Sequence, residues 1–171
     1  LGSMLFVVLL QLIVADLRLG NTMASRLRES AQQRQTLELI RGELAMGSGW
    51  EVDPTPSHQW SCGMAGRQPV LAISLDPSNT EASSQTIVYS VGAAPSAIWR
   101  GQVLMRCGPA YGLDGVIRPG GKAQNRVLID GLPKEGLGFQ ARQDPQSKVL
   151  HLALVQAVNG GSGRLRSAAV F

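Results

Sequence analysis

Residues 5–46 read LFVVLLQLIVADLRLGNTMASRLRESAQQRQTLELIRGELAM, and the fold prediction starts from them. It contains no proline, because Pro54 is the first in the chain, and beyond Asp16 its apolar residues recur mostly at steps of three and four. That spacing is typical of a helix with one buried stripe. We therefore expect one continuous helix from Leu5 to about Met46, about 60 Å long. Such a helix is longer than the small domain that follows can cover.

The first part of this helix is apolar around its whole axis, since only Gln11 interrupts the run from Leu5 to Ala15. A membrane span needs about 20 apolar residues, so the run indicates a span that has been cut. The alternative is a signal-peptide core cleaved after Ala15, which the lack of a basic region before it disfavours. Residues 1–4 (LGSM) are typical of a cloning scar and are left out of the fold prediction. The side chains expected in a membrane or in a filament core are Leu5, Phe6, Val7, Val8, Leu9, Leu10, Leu12, Ile13 and Val14.

The second part of the helix is amphipathic. We expect its apolar stripe to pack on the domain that follows, while polar residues such as Glu29, Gln33 and Glu43 lie on the solvated side. The packing residues predicted from this stripe are Leu27, Leu37, Ile40 and Leu44.

Residues 47–171 are predicted to form one β-rich globular head, because glycine, proline and short β-branched runs are concentrated there. Trp50–Ser61 is interpreted as a connection, and Gly108–Gln124 as an exposed loop. The predicted strands are Pro69–Leu75, Thr86–Val91, Ala97–Cys107 with a bulge at Gly101, Arg126–Asp130, Gly138–Gln143, Lys148–Ala157 and an edge strand at Ser167–Phe171. The expected fold class is α+β, with the long N-terminal helix packed on an antiparallel β-sheet head.

The chain has only two cysteines, Cys62 and Cys107, and neither belongs to a metal-binding pattern. If the head lies outside the cytoplasm, a disulfide between them is the simplest interpretation. The alternative is a pair of buried thiols.

The net charge of +4 is mild, with an excess of +1 in residues 1–50 and +3 in the rest. A nucleic-acid binder usually clusters its basic residues more densely. A candidate basic patch with Trp99 and Tyr111 for stacking is nevertheless available, and ordinary outward-facing charges are the alternative. Its members are Arg100, Arg106, Arg118, Lys122 and Arg126.

Motifs for catalysis are not found in the sequence, and we predict no enzyme, no catalytic residue, no metal and no cofactor. His58 and His151 are interpreted as structural or surface histidines. The segment from Asp76 to Glu81 offers oxygen atoms that calcium accepts, but a simple turn is the favoured interpretation.

Three features of the chain resemble the type IV pilin-like proteins, and within them the W-type minor pilins and the J-type pseudopilins of type II secretion. The first is the layout of a long apolar helix before a β-rich head. The second is Tyr89 in a strand followed by Trp99-Arg100 after a turn, and the third is VLIDG, which contains Asp130, followed by Phe139. The family's leader, with its glycine, N-terminal aromatic residue and glutamate, is absent, which we attribute to truncation.

The resemblance implies a structural subunit of a type IV pilus or type II secretion filament that helps to initiate or cap assembly. Its partners would be other pilins or pseudopilins and the inner-membrane assembly machinery. The helix would lie in the bacterial inner membrane before assembly, with the head in the periplasm and later in a surface filament. The alternative is a membrane-anchored extracytoplasmic binding module for DNA or glycan, with the helix as a tether.

Overall fold

The computed structural model describes residues 2–58, 60–75, 86–117, 122–134, 138–147, 149–157 and 164–171. Within these ranges, side chains are described except at residues 2–5, 8, 9, 22 and 165. One helix comes first, and eight strands follow it.

The helix, α1, is continuous over Gly2–Met46 and 45 residues long. It starts before Leu5, inside the segment that we left out of the fold prediction, and it ends where the sequence predicts. Gly47 follows it, and the Gly47 amide donates to the Glu43 carbonyl oxygen at 2.9 Å. Within the described residues, no helix is both long enough and apolar enough to cross a membrane.

The strands form two antiparallel sheets in which each strand pairs with its neighbour in the sequence. The first sheet has five strands in the order β1-β2-β3-β4-β5, and the second has three in the order β6-β7-β8. Their bounds are β1 Gly49–Val52, β2 Gln68–Ser74, β3 Thr86–Ala93, β4 Gln102–Pro109, β5 Ala123–Leu132, β6 Phe139–Gln143, β7 Leu150–Ala157 and β8 Arg164–Val170.

The predicted α+β, pilin-like class is wrong. Over the described residues, the structure is mostly β with one helix and has eight strands in two antiparallel sheets. The physical reason is that, among its described side chains, α1 contributes only Leu37 and Ile40 as buried apolar residues of the main core. Both sheets supply the rest, including Ile73, Ile87 and Leu104 from the first and Leu152 and Leu154 from the second. The main core therefore lies between the helix and the two sheets, and the helix does not pack on one sheet alone.

We call residues 47–171, which form the predicted head, the body. The face of α1 that contacts the body differs from the predicted stripe. Leu37 and Ile40 are buried and Leu44 is half-buried, but Leu27 is 73% exposed, so its assignment to the packing set is wrong. Thirteen residues at about 100° each leave Leu27 about 140° around the axis from Ile40. The buried face continues through Glu29 and Gln33, whose side chains lie against the body.

The outer face of the first sheet is also covered, by the segment between β1 and β2. Cys62 in this segment forms a disulfide with Cys107 of β4. The apolar cluster around this bond consists of Ala72, Val88 and Cys107 from the sheet, with Trp60, Cys62 and Met64 packed on them. Strands β2, β3 and β4 are therefore buried on both faces, which explains why their sequences are nearly continuous in apolar residues.

Several strand boundaries differ from the prediction. Gly49–Val52 pairs with β2 as a strand, whereas we interpreted this region as a connection. Residues 97–100 form a turn and are not part of a strand. Gly101 has a φ of +59°, and a Cβ added to it would lie only 2.8 Å from the Leu132 carbonyl oxygen. In the segment predicted as an exposed loop, Ile117 is buried and Tyr111 half-buried. The turn predicted from Asp76 to Glu81, with its calcium alternative, lies outside the described residues.

We expect Leu37→Ala and Ile40→Ala each to lower the free energy of unfolding by about 2–5 kcal/mol, because each leaves a cavity in the main core. Leu27→Ala is the matched control on the same helix and should change it by about 0.5 kcal/mol or less. Urea titration of the three variants measures the difference. Equal losses in all three would contradict the packing face described above.

Candidate functional site

A buried glutamate joins the last turns of α1 to the first sheet. Glu43 is fully buried, and its Oε1 accepts hydrogen bonds from Arg106 Nε at 2.7 Å and from the Tyr111 hydroxyl at 2.5 Å. The Tyr89 hydroxyl donates to Oε2 of the same carboxylate. Arg106 is itself only 2% exposed, and its Nη2 donates to the Pro109 carbonyl oxygen at 3.1 Å. We call these four residues, Glu43, Tyr89, Arg106 and Tyr111, the Glu43 cluster.

Strand register brings the Glu43 cluster together. Tyr89 of β3 lies directly opposite Arg106 of β4, so both side chains point to the same face of the sheet, toward the helix. Glu43 follows Ile40 by three residues and therefore shares its buried side of α1. Our predictions that Glu43 is solvated and that Arg106 points outward, as a nucleic-acid contact, are both wrong. The spacing from Ile40 was the available sequence signal for Glu43.

The cluster holds both tyrosines in the protonated form. Burial raises the pKa of Tyr89 above its ordinary value of 10.0, and the neighbouring Glu43 carboxylate raises it further. Burial and the hydrogen bond to Glu43 raise the pKa of Tyr111 in the same direction. Each phenol can therefore remain a donor to the carboxylate at neutral pH. The guanidinium of Arg106 also lies over the Tyr111 ring, 5.2 Å from its centroid.

A second polar junction lies further toward the N-terminus of the helix. Arg100 Nη2 lies 3.7 Å from Glu29 Oε1 of α1 and 3.4 Å from Asp130 Oδ1 of β5. Close by, the Ser167 hydroxyl of β8 donates to Gln33 Oε1 at 2.6 Å. Helix α1 is therefore attached by polar contacts to both sheets, and Arg100 is committed to two carboxylates.

The residues that carry the resemblance meet in two places. Tyr89 and Phe139 pack in the main core with tilted rings whose centroids are 6.5 Å apart. Arg100 pairs with Asp130, both through its guanidinium and through its amide, which donates to Asp130 Oδ2 at 3.0 Å. Trp99 beside them is half-buried. Both pairs are structural contacts across the fold.

A cleft of about 350 Å³ opens between α1 and the first part of β5. The Glu43 cluster forms its inner end through Arg106 and Tyr111, and exposed polar side chains form its rim. We call this feature the α1–β5 cleft, and its lining residues are Gln32, Gln35, Thr36, Leu39, Arg106, Ala110, Tyr111, Gln124, Arg126, Val127 and Leu128.

The candidate basic patch does not form one exposed surface. Arg106 is buried and Arg100 is paired with carboxylates, while Lys122 and Arg126 are exposed. Arg118 lies outside the described residues. The DNA-binding alternative therefore loses two of the cations on which it depends.

Metal and acid–base candidates are not brought together in the part of the chain that the structure describes. There, no group of three histidine, cysteine, aspartate or glutamate side chains is close enough to hold a metal ion. His58 and His151 are both exposed, whereas Glu43 is fully buried. The polar contacts of the Glu43 cluster attach elements of the fold to one another.

Because Tyr89 and Tyr111 are the chain's only tyrosines, their ionisation can be followed directly. We expect the native protein to form no tyrosinate at the pH where the urea-unfolded chain titrates, near the ordinary value of 10.0. A tyrosine whose pKa is raised by folding contributes its full stabilisation below the pKa of the unfolded chain. That stabilisation is lost as the pH rises above the unfolded-state pKa. Tyrosinate absorbance against pH, with and without urea, measures both curves. Native tyrosines that titrate together with the unfolded ones would contradict the cluster.

Comparison with family models, with curated proteins and with solved structures finds no match to this chain. The resemblance to the type IV pilin-like proteins therefore stays a prediction.

Proposed function

We propose that this protein is a structural subunit of a filament, of the minor pilin or pseudopilin kind, that assembles with related subunits through its N-terminal helix. The single observation that carries the proposal is a set of apolar side chains on α1 that the body leaves uncovered. Each is 45–73% exposed: Phe6, Val7, Leu10, Leu12, Ile13, Val14, Leu17, Leu19, Met23 and Leu27.

The distribution of these side chains favours partners on several sides. From Phe6 to Val14 the exposed apolar residues include neighbours in sequence, such as Leu12 and Ile13, which point in directions about 100° apart on a helix. A soluble monomer rarely exposes so large a contiguous apolar surface, because burying it is worth about 25 cal/mol per Å². Helices of neighbouring subunits, packed around this one, would remove that surface from water.

The body has a complementary role in this proposal. Two separate polar junctions, one at Glu43 and one at Glu29, attach the second half of α1 to the sheets. The exposed first half is therefore held at a fixed direction relative to the body. In a filament of such subunits, the packing of the helices would define how the bodies are arranged on the outside.

The disulfide between Cys62 and Cys107 supports an oxidising compartment for the body, as in the periplasm or at the cell surface. We propose that the helix lies in the bacterial inner membrane before assembly and that other pilins or pseudopilins and the assembly machinery are its partners. Initiating or capping a filament is the specific role that the resemblance implies.

The proposal is tested by changing the exposed helix without touching the body. The purified protein should self-associate in aqueous buffer, and a mild detergent should disperse it by covering the apolar side chains. The double variant Leu10→Glu with Ile13→Glu should stay monomeric at the same concentration, because charged residues oppose apolar packing. Sedimentation velocity measures the association, and thermal unfolding should show an unchanged melting temperature.

Ile98→Glu is the matched control, because Ile98 is an exposed apolar residue of the body. This variant should associate like the original protein. A monomeric original protein without detergent, or equal loss of association in both variants, would overturn the proposal.

A further inference from the structure

The α1–β5 cleft is not used by the proposed assembly through the helix. It lies between the body and α1, more than a turn of helix beyond Leu27, the last of the exposed apolar side chains on which the proposed assembly rests. Its lining combines amide, hydroxyl and guanidinium groups with the apolar side chains of Leu39, Val127 and Leu128. Ligand sites in proteins commonly combine apolar side chains with a few polar groups in this way.

One wall of the cleft is the outer strand of the first sheet. Strand β5 pairs with β4 on one edge only, and within the described ranges no strand pairs with its other edge. Toward the end of β5, side chains hydrogen-bond to main-chain groups of the strand. Gln156 Nε2 donates to the Asp130 carbonyl oxygen at 2.9 Å, and Gln32 Nε2 of the helix donates to the Leu128 carbonyl oxygen at 3.3 Å.

Before Leu128 the strand and the helix are separated by the cleft. The lining there includes Gln124, Arg126 and Val127 on the strand and Gln35 on the helix. An outer strand with unpaired main-chain groups beside a cleft is a template for strand addition, in which main-chain hydrogen bonds provide affinity and side-chain contacts provide specificity.

The charge of the cleft identifies the kind of segment that would fit. Arg126 lies directly opposite Arg106 in the register, so the two cations share one face of the sheet. Arg106 is neutralised by Glu43, whereas Arg126 has no ion pair within 4.0 Å among the described residues. None of the lining residues carries a carboxylate. A carboxylate entering from outside would therefore meet an uncompensated guanidinium.

We propose that the α1–β5 cleft binds an extended acidic segment of a partner protein, which adds as a strand to the free edge of β5 and pairs a carboxylate with Arg126. The amide side chains of Gln35 and Gln124 lie at the rim, where they can hydrogen-bond to the polar groups of such a segment. The site is independent of the exposed part of α1, so it can hold a partner while the helix is packed among other helices.

The test uses the full chain in mild detergent and a fluorescent, end-blocked hexapeptide with a central glutamate among alternating valine and threonine residues. Fluorescence anisotropy should show saturable binding, and the same peptide with lysine in place of glutamate should bind about tenfold more weakly. Methylation of alternate main-chain nitrogens on the face that meets β5 should also weaken binding at least about tenfold, because it removes main-chain donors.

Arg126→Glu should reverse the preference, so that the lysine peptide binds more tightly than the glutamate peptide. Arg142→Glu is the matched control, because Arg142 is an exposed arginine on β6, the outer strand of the other sheet. This control should bind like the original protein. Reversal with Arg126→Glu cannot come from general loss of folding.

Four results would overturn the proposal. Three of them are no saturable binding of the glutamate peptide by the original protein, binding that main-chain methylation leaves unchanged, and equal effects of the Arg126 and Arg142 variants. Displacement of the peptide by an equal concentration of inorganic phosphate would also overturn it, in favour of a site for small anions. Failure of this test leaves the association of the helix untouched, because Arg126 and the exposed apolar residues of α1 are altered in separate variants.

Discussion

The buried ion pair between Glu43 and Arg106 is the contact on which the arrangement of helix and sheet depends. Removing a carboxylate and a guanidinium from water costs several kcal/mol for each ion, and attraction between them repays this only with good geometry and further hydrogen bonds. Here Tyr89 and Tyr111 provide two hydroxyl donors to the carboxylate, and the Pro109 carbonyl oxygen accepts from the guanidinium. The last turns of α1 are therefore attached to β3 and β4 by directional contacts.

Directional contacts define the rotation of the helix about its axis more strictly than apolar packing does. The body side of α1 carries Glu29, Gln33 and Glu43 beside Leu37 and Ile40, so one face is largely polar and still buried. With that face occupied, Leu27 points away from the body, and the described apolar residues before it stay exposed. The same contacts that complete the fold therefore leave an apolar helix available to partners, and this connects the Glu43 cluster to the proposed assembly.

The features that could be predicted from the sequence are those that a local pattern of residues determines. The helix from Leu5 to Met46 follows from its spacing and lack of proline, and the cores of most strands follow from β-branched runs. Two classes of feature were not predictable in this way. The split into two sheets depends on how distant strands share a core, and the burial of Arg106 depends on Tyr89 in another strand and on Glu43 far along the chain. From sequence alone, a charged residue between apolar neighbours in a strand is expected to face solvent, because its buried partner is not known. Leu27 was assigned to the packing stripe from its hydrophobicity alone, without its angle around the helix axis.

The role of the Glu43–Arg106 pair is measured by the free energy of unfolding of Arg106→Leu compared with that of Arg126→Leu. These two arginines lie opposite each other on β4 and β5, but one is buried against Glu43 and the other is exposed. Loss of Arg106 leaves the buried carboxylate without its counterion, so urea titration should show a loss of about 3–5 kcal/mol. Loss of Arg126 should change the value by about 0.5 kcal/mol or less. Equal small changes in the two variants would contradict the claim that the Glu43–Arg106 pair holds the helix on the sheet.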